Sequence, residues 1–214
     1  IPNGLPSERL KSAIQVSKSK IKLCAATGRP ITNAKPILDA LNLDSPCVIS
    51  AGTQIVDPKT DEILWEATLD QNSVQAILDV CEPYHYEVLV RNELMGEGKR
   101  ASERIADDHT NVLYIMGCAE ADAEAILKKL ASIDTITAAG VTSWTHEGVD
   151  IHITHVNATK EHAITELLRI LNIDKTKVVG VGDANNDIHL FKAVGLKVAM
   201  GNGTDVLKSQ ADEV

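Results

Sequence analysis

The most informative stretch of the sequence is VVGVGDANND, residues 178–187. Its apolar start predicts a buried strand, and Asp183 then lies just outside the carboxyl end of that strand, where open α/β sheets bind ligands. Asp187 follows four residues later, so the two carboxylates can converge if the chain turns into a helix there. Mg²⁺ takes oxygen ligands of this kind, together with water and substrate phosphate. The stretch therefore predicts a magnesium site, with a polar turn capped by an asparagine as the alternative.

Two other signals also follow predicted strands. The run TGRP, residues 27–30, comes after the apolar residues 21–26. The Thr27 hydroxyl and the backbone amides near Gly28 suit a phosphoryl group, although a plain turn fits equally well. Lys160 opens an amphipathic helix, where its ammonium can neutralise a phosphate or simply be solvated. These residues are candidates for a phosphate site.

Both ends of the chain have the alternating helix and strand pattern of an α/β fold. Before residue 70 we predict a helix after Ser7, a strand at 21–26, a helix around 34–41, a strand at 47–50 and a hairpin within 53–67. After residue 150 we predict a helix around 164–171, a strand at 178–181, a helix at 187–194 and a strand at 196–200. These parts form the predicted core domain, residues 1–69 and 151–214.

The middle of the chain has a different pattern. We predict helices at 74–80, 98–107 and 121–130, and strands at 86–90, 111–116, 135–142 and 149–155. The last two strands alternate polar and apolar residues, which indicates a sheet with one solvated face. Residues 70–150 are therefore predicted to form an inserted α+β domain that acts as a lid over the carboxyl ends of the core strands.

Composition limits the partners and the location of the protein. The 214 residues include 21 basic and 30 acidic side chains, and the net charge of −9 argues against a general surface for binding nucleic acid or anionic membranes. The sequence has neither a membrane-spanning apolar run nor a signal-peptide pattern in its first residues. Its four cysteines form no CxxC pair, so we expect reduced thiols and a cytoplasmic protein without nucleic-acid or membrane partners.

Taken in order, TGRP, Lys160 and GDANND resemble the haloacid dehalogenase superfamily of phosphatases, in particular its Cof-type branch with an α/β cap. The tail, residues 198–203 with Ala211 and Asp212, also matches that branch. The resemblance implies a Rossmann-like parallel sheet flanked by helices, with an inserted α+β cap. It also implies a Mg²⁺-dependent phosphatase that hydrolyses a small phosphorylated metabolite, such as a sugar phosphate, through an aspartyl-phosphate intermediate.

The resemblance further implies a role for individual residues. Thr27 would hydrogen-bond the transferring phosphoryl group, and Lys160 would offset charge on the nucleophile and the phosphate. Asp183 would bind Mg²⁺ as a catalytic residue, and Asp187 with Asn186 would complete or orient the metal shell. The other residues implied in substrate binding are Gly28, Arg29 and Asn186.

The sequence departs from the family pattern at two places. The family's first motif, Asp-x-Asp-x-Thr or -Ser, supplies the nucleophile and the general acid/base, yet residues 1–27 contain no aspartate. We expect this motif upstream, on a strand between those that lead to Thr27 and Asp183, and we expect the chain as written to hydrolyse nothing. The second departure is Ser50-Ala51-Gly52-Thr53, where Cof-type members commonly have Asn-Gly.

Two other functions remain open at this point. The phosphorylation domain of a cation-transport ATPase shares the GDxxND motif and a run like AMGNGTD, residues 199–205. There, however, the large insert precedes the Thr motif, whereas here it follows Thr27. The other alternative is a non-catalytic phosphosugar-binding protein that has lost its first motif.

Overall fold

The computed structural model describes residues 5–91, 99–100, 110–143 and 147–214. The chain divides into two compact units. We call Ile1–Trp65 with Ala158–Val214 the core unit, and Glu66–Asn157 the inserted unit. Among the helices that the structure describes, none has the length and apolar character needed to cross a bilayer.

The first part of the core unit is a helical pair followed by a small sheet. Ser7 caps α1 (Glu8–Lys18), because its Oγ accepts a hydrogen bond from the Leu10 amide. Helix α2 (Ile31–Leu41) precedes β1 (Cys47–Ile49), β2 (Gln54–Val56) and β3 (Ile63–Glu66), which form a sheet in the order β1-β2-β3. Buried residues of α2 and the sheet pack together, which fixes the helix on the sheet: Ala34, Leu38, Cys47, Ile49 and Val56.

The strand predicted at 21–26 is wrong in extent. Only Ala26 forms a bridge, parallel to Val48 of β1. The Thr27 amide donates to the Val48 carbonyl at 3.0 Å, and the Val48 amide donates to the Ala25 carbonyl at 2.8 Å. The pairing with β1 is limited to this one bridge, which is too short a ladder to form a strand.

The inserted unit is an antiparallel sheet covered by two helices. In chain order it contains α3 (Gln71–Cys81), β4 (Val88–Arg91), β5 (Lys99–Arg100), β6 (Val112–Cys118), α4 (Glu120–Leu130), β7 (Ile136–Thr142) and β8 (Val149–His155). The strand order is β5-β4-β6-β8-β7, and every pairing is antiparallel. Ile77 of α3 and Ile126 of α4 are fully buried against Leu113, Ile115 and Ile151. This layer of helices on strands is the core of the unit.

The helix predicted at 98–107 is wrong where the structure describes it. Lys99 and Arg100 form β5, which pairs with β4 in the register Leu89↔Arg100. A free edge of β4 offers these two residues backbone partners, which a polar helical pattern cannot reveal. Residue 98 and residues 101–107 lie outside the described residues.

The last part of the core unit has the parallel α/β pattern. It contains α5 (Lys160–Leu171), β9 (Val179–Gly182), α6 (Ile188–Lys192), β10 (Leu196–Ala199) and α7 (Asp205–Lys208). Strands β9 and β10 pair in parallel, with Leu196 opposite Val179. Helix α5 buries Ala163, Ile164 and Leu167 in a cluster that also includes Val48 and Ile55, so it packs on the first sheet as well. The unit therefore has the predicted α/β class.

Strand β9 has an unpaired edge. Its only strand neighbour in the described part of the chain is β10. Gly180 and Gly182 are buried, whereas Val179 and Val181 are 55% and 57% exposed. Apolar residues of a parallel strand are normally covered on both faces. Within the described residues, the core unit thus has two backbone edges without a strand partner, one along β9 and one beside Ala26.

Candidate active site

A buried ion pair lies at the centre of the candidate site. Lys160 Nζ is 2.7 Å from Asp187 Oδ1, and the two side chains are only 8% and 10% exposed. Lys160 is the first residue of α5, whose N-cap Thr159 accepts a hydrogen bond from the His162 amide. Since a buried charge is tolerated only when it is paired, this contact fixes the start of α5 to the loop after β9.

The second carboxylate oxygen of Asp187 is also engaged. Oδ2 accepts hydrogen bonds from the amides of Asp183 at 3.0 Å and Ala184 at 3.2 Å. Burial opposes the charged form, but the hydrogen bonds from Lys160 and the two amides prevail and lower the pKa of Asp187. A Cβ on Gly182 would lie 2.5 Å from the Asp187 Cβ, so glycine is required for this approach. Asp187 therefore holds Lys160 with one carboxylate oxygen and the backbone after β9 with the other.

Asp183 presents a free carboxylate beside this pair. The residue is exposed, and its carboxylate has no hydrogen bond or ion pair with any residue described here. Its backbone is held in place, because the Thr204 amide donates to its carbonyl at 3.1 Å. Thr204 Oγ1 also donates to Asn185 Oδ1 at 2.7 Å, and Asn186 remains exposed. The carboxylate that can meet a ligand is thus that of Asp183.

The oxygen atoms after the carboxyl end of β9 suit Mg²⁺ only when water or a substrate supplies further ligands. Within the described ranges, no group of three or more His, Cys, Asp or Glu side chains could hold a metal ion. Asp183 and Asn186 offer one carboxylate and one amide oxygen. Mg²⁺ commonly uses one or two carboxylates and completes its shell with water and phosphate oxygens. The available groups therefore fit a magnesium ion that is shared with a substrate.

The Thr27 turn contributes a hydroxyl and an open backbone. Thr27 Oγ1 accepts a hydrogen bond from the Arg29 amide at 3.1 Å, which leaves its own O–H free to donate to a ligand. Gly28 and Arg29 are exposed, and nothing lies within 4 Å of the position of a Cβ on Gly28. A ligand oxygen can therefore approach this turn closely.

The structure joins some of these residues directly and others through an intermediate turn. Lys160, Asp187 and the Asp183 amide are in direct hydrogen-bond contact. Thr27 has no hydrogen bond to any of them, but the Ala51 amide donates to the Thr27 carbonyl at 3.2 Å, and Gly52 lies against the Thr159–Lys160 peptide. The turn at residues 50–52 therefore connects the two halves of the site.

Thr204 contributes to this site although the sequence did not predict it, since the run AMGNGTD, residues 199–205, indicates only a family resemblance. Ser50-Ala51-Gly52-Thr53 stands out in the sequence as a departure from the family pattern, but its contacts with Thr27 and Lys160 were not predicted. In both cases the partners are distant in sequence, so local patterns do not reveal the contacts.

Comparison with known proteins identifies the class. A model of the haloacid dehalogenase-like hydrolases matches residues 2–103 and 91–214, and the chain belongs to this family. Its relatives and structural neighbours confirm the resemblance to the Cof-type branch.

Individual relatives cover different parts of the chain. Phosphoglycolate phosphatase 1 of Saccharolobus solfataricus is 42% identical over 67 residues, which is 31% of this chain and 29% of that protein. The chain thus spans under a third of the length of that first relative. A 5-amino-6-(5-phospho-D-ribitylamino)uracil phosphatase of Bacillus subtilis is 23% identical over 98% of this chain and 82% of its own. A phosphatase of the superfamily from Bacteroides thetaiotaomicron shares the fold with a TM-score of 0.78 at 18% identity, over 97% of this chain and 81% of that one.

Proposed function

We propose that the protein is a Mg²⁺-dependent phosphatase that hydrolyses the phosphate monoester of a small metabolite, such as a sugar phosphate. The observation that carries this proposal is the buried Lys160–Asp187 pair beside the free carboxylate of Asp183. A cation and a metal ligand held at one strand tip suit a dianionic phosphoryl group. Two relatives support the substrate class by name, since one is a phosphoglycolate phosphatase and the other acts on a phosphoribityl compound.

The residues would act mainly by positioning and electrostatics. The Thr27 hydroxyl would donate to a phosphoryl oxygen, and the exposed amides at Gly28 and Arg29 would add donors on the same side. Lys160 would offset the charge that builds up between phosphate and nucleophile, because Asp187 holds its ammonium in place. Rigid placement of this kind lowers the barrier of phosphoryl transfer more than any covalent role of these residues.

Asp183 and Asn186 would hold Mg²⁺, and Asp187 would orient the shell through its hydrogen bonds to the Asp183 and Ala184 amides. When bound, Mg²⁺ would neutralise charge on the phosphoryl oxygens. This chain's own contribution is to keep the Asp183 carboxylate unpaired and exposed for that purpose.

The attacking group in this proposal is an aspartate on a strand that would lie between the edge of β9 and the edge beside Ala26. Its carboxylate would attack phosphorus, and the second aspartate of the same motif would donate a proton to the ester oxygen as the P–O bond breaks. That second aspartate would then take a proton from the water that hydrolyses the aspartyl phosphate. The unpaired edge of β9 and the exposure of Val179 and Val181 support a strand at this place. The inserted unit would serve as the lid that contacts the leaving group, and a cytoplasmic location agrees with four free cysteine thiols.

The test is a screen of phosphorylated metabolites against the full-length gene product, with Mg²⁺ and with a chelator. We expect turnover that requires Mg²⁺ and is lost in Asp183→Asn. A second candidate function is non-catalytic phosphosugar binding, for which the Thr27 hydroxyl and the free Asp183 carboxylate would serve equally. Absence of turnover with retained binding of sugar phosphates, measured by calorimetry, would support this second function and refute the first.

A further inference from the structure

A strained turn lies between the two halves of the candidate site. Ser50, Ala51 and Gly52 have positive φ angles of 56°, 57° and 106°, and two of these residues are not glycine. The Ser50 and Thr53 hydroxyls are buried without a hydrogen-bond partner among the described residues. Both features are costly, and such features persist only where the surrounding structure imposes them.

Each side of this turn contacts a different part of the site. On one side, the Ser50 amide donates to the Arg29 carbonyl at 2.9 Å and the Ala51 amide donates to the Thr27 carbonyl at 3.2 Å. On the other side, a Cβ on Gly52 would lie 2.4 Å from the Thr159 carbonyl carbon and 2.6 Å from the Lys160 nitrogen. The space of a side chain is thus occupied by the first peptide of α5, so residue 52 must be glycine for steric and conformational reasons.

We propose that Gly52 is a positioning residue that sets the separation between the Thr27 hydroxyl and the Lys160 ammonium. It does so by bringing the turn that holds Thr27 into backbone contact with the helix that begins at Lys160. The contact between Gly52 and the first peptide of α5 does not depend on the function of the protein, whereas its catalytic role rests on the proposed function. Two groups that hold one phosphate from different elements need a fixed spacing, and a displacement of about 1 Å can reduce rates about 100-fold.

The chain offers a matched control at Gly148 in the inserted unit. Gly148 has a φ of 107°, and a Cβ there would lie 2.3 Å from the Cys118 carbonyl oxygen. Gly52→Ala and Gly148→Ala therefore introduce the same atom into the same backbone conformation with a similar clash. The difference is that only the first clash involves the Thr159–Lys160 peptide.

The experiment compares both variants with the wild-type protein by thermal unfolding, inorganic phosphate calorimetry and NMR of the lysine ammonium groups, with the Lys160 signal assigned from Lys160→Gln. We expect similar losses of thermal stability. Only Gly52→Ala should weaken phosphate binding, at least 10-fold, and shift or broaden the Lys160 signal. Where a substrate is turned over, we expect Gly52→Ala to lower kcat more than it raises KM.

Wild-type phosphate affinity and an unchanged Lys160 signal in folded Gly52→Ala would overturn the proposal, as would equal effects in Gly148→Ala. If Gly52→Ala does not fold, Ala51→Gly loosens the same turn without a clash, because glycine adopts a φ of 57° readily. We then expect unchanged thermal stability with severalfold weaker phosphate binding, and unchanged binding would refute the role. If the proposed function is wrong, the wild-type protein will show no turnover. The NMR comparison still tests whether Gly52 positions Lys160.

Discussion

The core unit and the inserted unit are stabilised in different ways. Strand β8 of the inserted unit pairs on both sides, with β6 and β7, and one continuous buried cluster lies between its sheet and α3 and α4. Strand β9 of the core unit pairs on one side, and the described buried residues of that unit form three separate clusters. The candidate chemistry therefore lies in the unit whose described apolar core is divided, where a buried ion pair and the strained turn at residues 50–52 join the elements.

The largest effect is expected at the ion pair of the core unit. Lys160→Met leaves the buried carboxylate of Asp187 without its cation, which should cost about 4 kcal/mol of unfolding free energy. Chemical denaturation measures this loss, and calorimetry should show loss of phosphate binding as well. The double variant Lys160→Met/Asp187→Asn removes the unpaired charge and should regain part of the stability. A loss below about 1 kcal/mol in the single variant would mean that the pair behaves like a surface pair.

In the inserted unit, we expect the largest loss of stability from a cavity in the apolar cluster. Leu113 is fully buried, and Leu113→Ala should lower its unfolding free energy by about 3 kcal/mol. We expect hydrogen exchange to show the loss in the inserted unit, while phosphate and Mg²⁺ binding stay unchanged. Equal loss of protection in β9 and β10 would contradict independent stabilisation of the two units.

A smaller effect is expected at Thr204, which caps α7 and donates to Asn185. Thr204→Ala should cost about 1–2 kcal/mol, because it removes the cap and a side-chain hydrogen bond. It should also weaken Mg²⁺ binding severalfold, because the lost hydroxyl holds Asn185, which lies between Asp183 and Asn186 in the same loop. Ser7→Ala removes the cap of α1 in the same unit and is the control, with a similar loss of stability and no effect on binding. If the two variants bind Mg²⁺ with the same affinity, Thr204 does not contribute to the site.

The smallest effect is a pH dependence in the inserted unit. The Ser73 amide and hydroxyl hydrogen-bond to Asp70, the cap of α3, and lower its pKa. A lowered pKa in the folded state gives stability that is present above the unfolded value of about 3.9 and is lost as the pH falls through the folded value. Asp70→Asn keeps a good cap, so stability near pH 7 should change by less than about 0.5 kcal/mol. Below about pH 4, the Asp70→Asn variant should lose less stability than the wild-type protein. Identical acid unfolding curves for the two proteins would contradict this role of Asp70.

The sequence predicts two strands of the inserted sheet and helix α1 well for a physical reason. Strands predicted at 135–142 and 149–155 are observed as Ile136–Thr142 and Val149–His155, because alternation follows directly from one buried and one solvated face. Helix α1 likewise begins after Ser7, where a serine can satisfy free amides. These elements depend on residues that are close together in the sequence, so the sequence pattern predicts them.

Features that depend on distant partners could not be predicted from the sequence. The segment 21–26 has a strand-like composition, but strand formation depends on neighbours, and only Ala26 forms a bridge. The spacing of Asp183 and Asp187 indicated convergence, yet it could not show that Lys160 and two amides engage both oxygens of Asp187. The sequence thus indicated Lys160, Asp183 and Asp187 as candidates, while the different surroundings of the two aspartates required the structure.

The most direct test of this account is Mg²⁺ calorimetry on the full-length protein in the presence of inorganic phosphate, with Asp183→Asn compared with Asp174→Asn. Asp183 is exposed and its carboxylate has no partner in the described structure, so its replacement should leave the fold intact. Asp174 lies beyond the opposite end of α5, where asparagine can still accept the Thr176 amide hydrogen bond. We expect at least 10-fold weaker Mg²⁺ binding in Asp183→Asn, with wild-type affinity in Asp174→Asn and unchanged thermal stability in both. Wild-type Mg²⁺ affinity in folded Asp183→Asn would contradict it.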